Sequence, residues 1–166
     1  MALGIFFLVC AMLGARVLGH HPLGASHKGY TLGIRDSFMI AHSFKGEQFG
    51  RAQKMHGATF TVDAEFRVSE LVQKLNWVMD IGVASKMLAD VLDKYNHSNL
   101  DDIFSENTTT EFMCKVIFDE LAVKCSKEFI GSISVKLWES HKAWASYEGE
   151  VGEHEEASGD DKICQS

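Results

Sequence analysis

From Thr59 to Val68 the chain alternates without a break: Phe60, Val62, Ala64, Phe66 and Val68 fall on one side, and Thr59, Thr61, Asp63, Glu65 and Arg67 on the other. A period of two is strand geometry, because successive side chains leave a strand on opposite faces. Such a strand has one buried and one wet face, which asks for an antiparallel sheet covered on a single side. The segment before it carries the same period. Leu32, Ile34, Phe38, Ile40, His42 and Phe44 share a face interrupted by Asp36, and Gly46 and Gly50 mark the loop between the two strands.

Helical spacing takes over after Gly82. Val83, Met87, Leu88, Val91 and Leu92 form one stripe that ends near Tyr95. A polar loop from Asn96 to Asn107 leads to a second helix with Met113, Val116, Ile117 and Leu121 on its apolar face. Thr108 and Glu111 have capping-box spacing at its start. Ile133, Val135 and Leu137 mark a third strand, and a short fourth lies around Trp144 to Tyr147. The predicted order, β-β-α-α-β-β, is an α+β fold: an antiparallel four-stranded sheet with two helices packed on one face.

A chain of 166 residues accommodates one such domain, expected over residues 30–150. Ala2 to Ala15 is an apolar run with Gly19 as a small residue beyond it. It resembles a signal-peptide core, is short for a membrane span and lacks a basic start. Residues 1–19 are therefore read as a signal peptide or an apolar leader, which leaves secretion and a cytoplasmic location both open. Residues 20–29 form a linker with the only proline, Pro22. Acidic residues collect after Tyr147, and residues 151–166 read as an acidic, solvated tail. The net charge of −7 gives no basic footprint for nucleic acid. The four cysteines, Cys10, Cys114, Cys125 and Cys164, form no C-x-x-C pair and no disulfide framework.

Polar residues that break an apolar pattern are the site candidates. His42 is in phase with Phe38, Ile40 and Phe44; His56 opens the second strand on its apolar face; Glu139 continues the row Ile133, Val135, Leu137; and His97 lies between the helices. An inward carboxylate is costly unless paired or bonded to a ligand. Each has an ordinary reading as well: a satisfied strand histidine, a strand end at Glu139, a cap at Glu111, and an N-cap at Asp80.

In combination these residues resemble the 6-pyruvoyl-tetrahydropterin synthases and 6-carboxytetrahydropterin synthases of the tunnelling fold, over about Thr31 to Gly149. The segment Val135 to Glu150 resembles the family's last hairpin, with its pterin-anchoring glutamate at Glu139. Thr109-Thr110-Glu111 resembles the Thr-Thr-Glu that lines the pterin pocket. His97-Ser98-Asn99-Leu100-Asp101 resembles the stretch whose histidine joins a catalytic dyad. Trp77 to Gly82, which holds Asp80, is similar to the segment before the first helix, and His97 and Asp80 are taken as the catalytic candidates. Ala41-His42-Ser43-Phe44 and His56-Gly57 fall where the family keeps its zinc histidines. The resemblance implies a Zn²⁺ cofactor, a pterin substrate and a homo-oligomer of stacked trimers forming a hexamer. It also implies triphosphate elimination from 7,8-dihydroneopterin triphosphate by a carbon–oxygen lyase.

The chain departs from that pattern at three places. Ala58 stands where the family has its third zinc histidine, so a further donor is needed, from Glu47, His97 or a neighbouring subunit. The family's cysteine before this motif is missing from Glu47 to Met55, and the dyad aspartate beside His97 is Asn96. Two other functions therefore stand beside the lyase: pterin binding without turnover, and metal-independent conversion of a dihydropterin, epimerase- or aldolase-like, with His97 as general acid or base. The sequons at Asn96 and Asn107 both fall beside presumed site residues.

Overall fold

The structure, a computed structural model, describes residues 29–152. The apolar leader, residues 20–28 of the linker, and the tail from residue 153 lie outside the described residues. Strand β1 runs over Tyr30–His42 and β2 over His56–Val68, followed by helix α1 at Ile81–Leu92 and a two-residue strand β3 at Ser98–Asn99. Helix α2 then covers Thr110–Cys125, and β4, Gly131–Ser140, and β5, Ala143–Val151, close the domain. Short 3₁₀ segments at Glu47–Gln53 and Leu100–Asp102 complete the connections.

The α+β class stands, with a correction to its sheet. Among the described residues five strands lie in the order β3-β1-β2-β4-β5, and β3 pairs parallel to β1 through Ile40 and Ala41 while the other pairs are antiparallel. The element order is thus β-β-α-β-α-β-β. Strand β3 is too short to carry a period, so hydrophobic alternation could not reveal it. Strand β5 is also longer than expected. Glu148 and Glu150 belong to it rather than to a tail, and Val151 is buried.

Strand β2 alternates as its sequence dictates. Phe60, Val62, Ala64 and Phe66 are fully buried, and they meet Ile133, Val135 and Leu137 of β4 beneath the helices. α1 covers β1, and α2 covers β4 and β5. α2 comes down close because Gly149 carries no side chain: a Cβ there would stand 2.6 Å from the Phe118 ring. The opposite face holds cross-strand polar ties. Arg35 donates twice to Asp63 at 2.6 and 2.8 Å, Trp138 Nε1 donates to the same carboxylate at 2.8 Å, and Arg67 bridges Glu65 and Glu148.

Among the described residues no helix is long and apolar enough to cross a membrane. At α2 the cap lies one residue later than the capping-box spacing suggested. Thr109 is the N-cap and accepts from Phe112 N–H, which frees Thr108 for another contact.

Candidate functional site

The β1–β2 register sets the site. His42 pairs with His56 across the last rung of the ladder, and both rings turn to the helix-covered face, with centroids 4.5 Å apart. Glu139 comes from β4, where the pairing with β5 skips a residue: Trp138 faces Trp144 and Ser140 faces Ala143. Glu139 is the extra residue of that bulge, a device that re-aims a side chain beside a site. One donor atom from each of His42, His56 and Glu139 lies within 4.8 Å of the others.

Second contacts fix what each group offers. His56 Nδ1 lies 2.8 Å from the Lys54 carbonyl, which only accepts, so the ring donates there and leaves its Nε2 for another partner. His42 is completely buried, and its Nδ1 is 3.1 Å from Thr108 Oγ1. Its Nε2 is buried with no hydrogen-bond partner. Phe44 packs against the ring edge-on at 4.7 Å, and Phe60 at 6.0 Å. Burial, then the neighbouring His56, push the His42 pKa down, against upward pulls from Thr108, Glu139 and Asp101. The ring is accordingly held neutral, the form in which imidazole ligates a metal. Two imidazoles beside a carboxylate, one of them with a buried ring nitrogen that has no partner, are a donor set that fits Zn²⁺.

The segment after His42 is tied to the connection between the helices. Ser43 donates to Asp101 through its N–H (3.1 Å) and its hydroxyl (2.5 Å). Burial pushes the Asp101 carboxyl up, but the two Ser43 bonds outweigh it and hold the group below its ordinary value. Lys45 N–H donates to Asn107 Oδ1 at 2.6 Å, Asn107 Nδ2 donates back to the Lys45 carbonyl at 2.9 Å, and Lys45 Nζ reaches the Ser105 carbonyl at 2.9 Å.

α2 brings its N-terminus over the end of β4. Thr110 Oγ1 donates to Glu139 Oε2 at 2.8 Å, Thr109 caps the helix beside it, and Glu111 is exposed in its first turn. Three consecutive threonines therefore hold three contacts: Thr108 to His42, Thr109 to the helix and Thr110 to Glu139. Sequence reasoning missed Thr108 and Asp101 as supports of His42. A run of three threonines where a cap needs one was the available signal.

The remaining candidates are not brought to this cluster within the chain. His97 has a left-handed backbone (φ 58°), and its N–H donates to the Met39 carbonyl at 2.7 Å. It lines an open depression of about 600 Å³ with Met39, Ala41, Gly57 and Thr59, which alternate with the site residues and so mark the other face of the sheet. Neighbouring Asn96 accepts from Met39 N–H at 3.0 Å. Asp80 caps α1 by accepting from Val83 N–H at 2.9 Å. It follows the Val68 end of β2, at the far end of the sheet from His56. Glu47 is exposed in its 3₁₀ segment and outside the cluster. Cys114 and Cys125 are buried on α2, with burial pushing both thiols up to about 11.

A five-stranded sheet backed by two helices, with paired histidines and a carboxylate at one end, defines a tunnelling-fold scaffold. The chain belongs to the 6-pyruvoyl tetrahydropterin synthase family, whose pattern it matches over residues 31–150. It is 32% identical over 114 residues to an Archaeoglobus fulgidus protein provisionally named a 6-carboxy-5,6,7,8-tetrahydropterin synthase, covering 69% of this chain and 91% of that one. It is 31% identical over 111 residues to a Pyrococcus furiosus dihydroneopterin monophosphate aldolase, covering 65% and 88%. Among solved structures, Caenorhabditis elegans 6-pyruvoyl tetrahydropterin synthase superposes with a TM-score of 0.64 at 25% identity, covering 72% of this chain and 95% of that one. The Plasmodium falciparum structure of the same description, at 15% identity and a TM-score of 0.62, shares the fold.

Proposed function

We propose that this chain is an enzyme of pterin biosynthesis, a carbon–oxygen lyase that eliminates triphosphate from 7,8-dihydroneopterin triphosphate. The observation that carries the reading is the unpartnered Nε2 of fully buried His42, set against His56 and Glu139. An unbonded nitrogen in such a place costs free energy unless a ligand takes it up. His42 and His56 would hold Zn²⁺, which when bound polarises the substrate's side-chain oxygens and acidifies the adjacent carbon-bound protons.

The chain's own groups do the rest. Glu139, oriented by the Thr110 hydroxyl, presents acceptor lone pairs to the donor groups of the bound substrate. Thr109 and Thr110 border the guanidine-like edge of the pterin at the start of α2. Phe44 and Phe60 keep water from the histidines. His97 is the general acid or base, and it serves the site of an adjoining copy because it sits on the other face within its own chain.

Assembly belongs to the same reading. Residues 31–38 of β1 form a sheet edge with no strand beside it among the described residues, and β5 forms the other edge with Trp144 half exposed. Open edges of this length pair with other chains, so a homo-oligomer is expected. A monomeric mass by light scattering at micromolar concentration would reject it.

A second reading, metal-independent cleavage of a dihydropterin side chain, is favoured by Ala58 at the third zinc position and by the aldolase name of the Pyrococcus furiosus relative. One experiment separates the two. The chain is incubated with dihydroneopterin triphosphate or dihydroneopterin, with zinc or with excess chelator, and the products are weighed by mass spectrometry. Zinc-dependent triphosphate release supports the lyase. Release of a two-carbon aldehyde in chelator supports the second reading, and pterin binding with no product under any condition rejects both.

A further inference from the structure

We infer that Glu139 is the third protein ligand of the metal site in this chain, standing in for the histidine that position 58 lacks. The inference rests on the metal-site reading above and adds the donor that completes it. Ligand atoms sharing one zinc at about 2.0–2.2 Å stand roughly 3.3–3.6 Å apart. The three donor atoms here lie within 4.8 Å of one another, close to that spacing.

Two independent features point into this space. His42 Nε2 is completely buried and has no hydrogen-bond partner. From the other side comes Glu139, the extra residue of the β4 bulge, with its Oε2 held by Thr110 Oγ1 at 2.8 Å. A hydrogen bond to a carboxylate's own oxygen is the outer contact by which proteins orient a ligating group. The pattern repeats at both histidines, where Thr108 and the Lys54 carbonyl occupy the Nδ1 atoms.

The other donors fail on placement. Ala58 shares the inward face two residues after His56 but offers a methyl group. His97 lines the opposite face, Glu47 is exposed outside the cluster, and Cys114 and Cys125 are buried on α2. Two imidazoles and a carboxylate leave a fourth position open for a water or a substrate oxygen. They also place one negative charge on the centre, which a three-histidine set does not. Ring recognition then falls to Thr109 and Thr110, and the carboxylate lone pairs that face away from the metal accept from side-chain hydroxyls of the substrate.

The test is a titration of the purified full chain with Co²⁺, read by visible absorption, and with Zn²⁺, read by calorimetry. One metal per chain is expected. Glu139→Gln should weaken binding at least about tenfold, the loss that even an outer partner's removal brings. Adding Ala58→His to that variant should restore it, and His42→Ala should remove binding. Because Glu139 is exposed, the glutamine variant keeps its fold, which circular dichroism checks. Parent-like affinity in Glu139→Gln, with binding lost in His42→Ala, overturns the assignment of Glu139 and leaves the site itself standing. No metal binding by the parent chain overturns both.

Discussion

Replacing His42 by alanine is expected to lower pterin turnover by about a thousandfold or more, even in saturating zinc. The metal's stabilisation of developing charge amounts to several kcal/mol, and each 1.36 kcal/mol is a factor of ten in rate. The substitution removes the one ligand that is fully enclosed, together with its contact to Thr108, so excess metal does not compensate. His56→Ala provides the control for folding. That ring is only partly buried, yet its loss should depress turnover comparably. Steady-state rates with thermal unfolding of both variants decide the matter. A His42→Ala protein that folds and turns over within tenfold of the parent would remove the metal from the reaction.

The largest effect on stability is expected at Phe60. Its side chain is fully buried in β2, and its ring lies 5.5 Å from that of Phe38 and 6.0 Å from that of His42. Truncating a buried phenylalanine to alanine costs about 3–5 kcal/mol, through lost transfer energy and the cavity left behind. Domains of this size are stable by only about 5–15 kcal/mol, so Phe60→Ala should approach the unfolding threshold at 37 °C. Phe60→Leu, which keeps most of the volume, should cost about 1.5 kcal/mol or less. Urea denaturation measures both, and a Phe60→Ala loss below about 1 kcal/mol would show that the core closes around the gap.

The parts of this fold that were legible in the sequence are those where burial imposes a period. β2, with ten residues in unbroken alternation, and the α1 stripe needed no tertiary information. The inward phase of His42, His56 and Glu139 followed from the same rule, and their convergence follows from the β1–β2 register and the β4 bulge. What stayed hidden depends on packing across the chain. The inward positions of β5 include Ala145 and Gly149, small because α2 presses close there, so the strand carries a weak signal. Strand β3 is two residues long. The choice among Thr108, Thr109 and Thr110 as cap is undetermined locally, and it is decided by His42 and Glu139 on distant strands. The catalytic roles of His97 and Asp80 came from the resemblance, and within the chain the two stand apart from the cluster.

Loops of the length of residues 96–109 ordinarily absorb insertions at little cost. This one is stitched to residues 42–45 by Asp101, Ser105, Asn107 and Thr108. A residue added between Asp101 and Thr108 would change the spacing of contacts that residues 42–45 hold at both ends, His42 included. The spacing between the two helices is therefore a dimension of the site, held as tightly as the distance between its imidazoles.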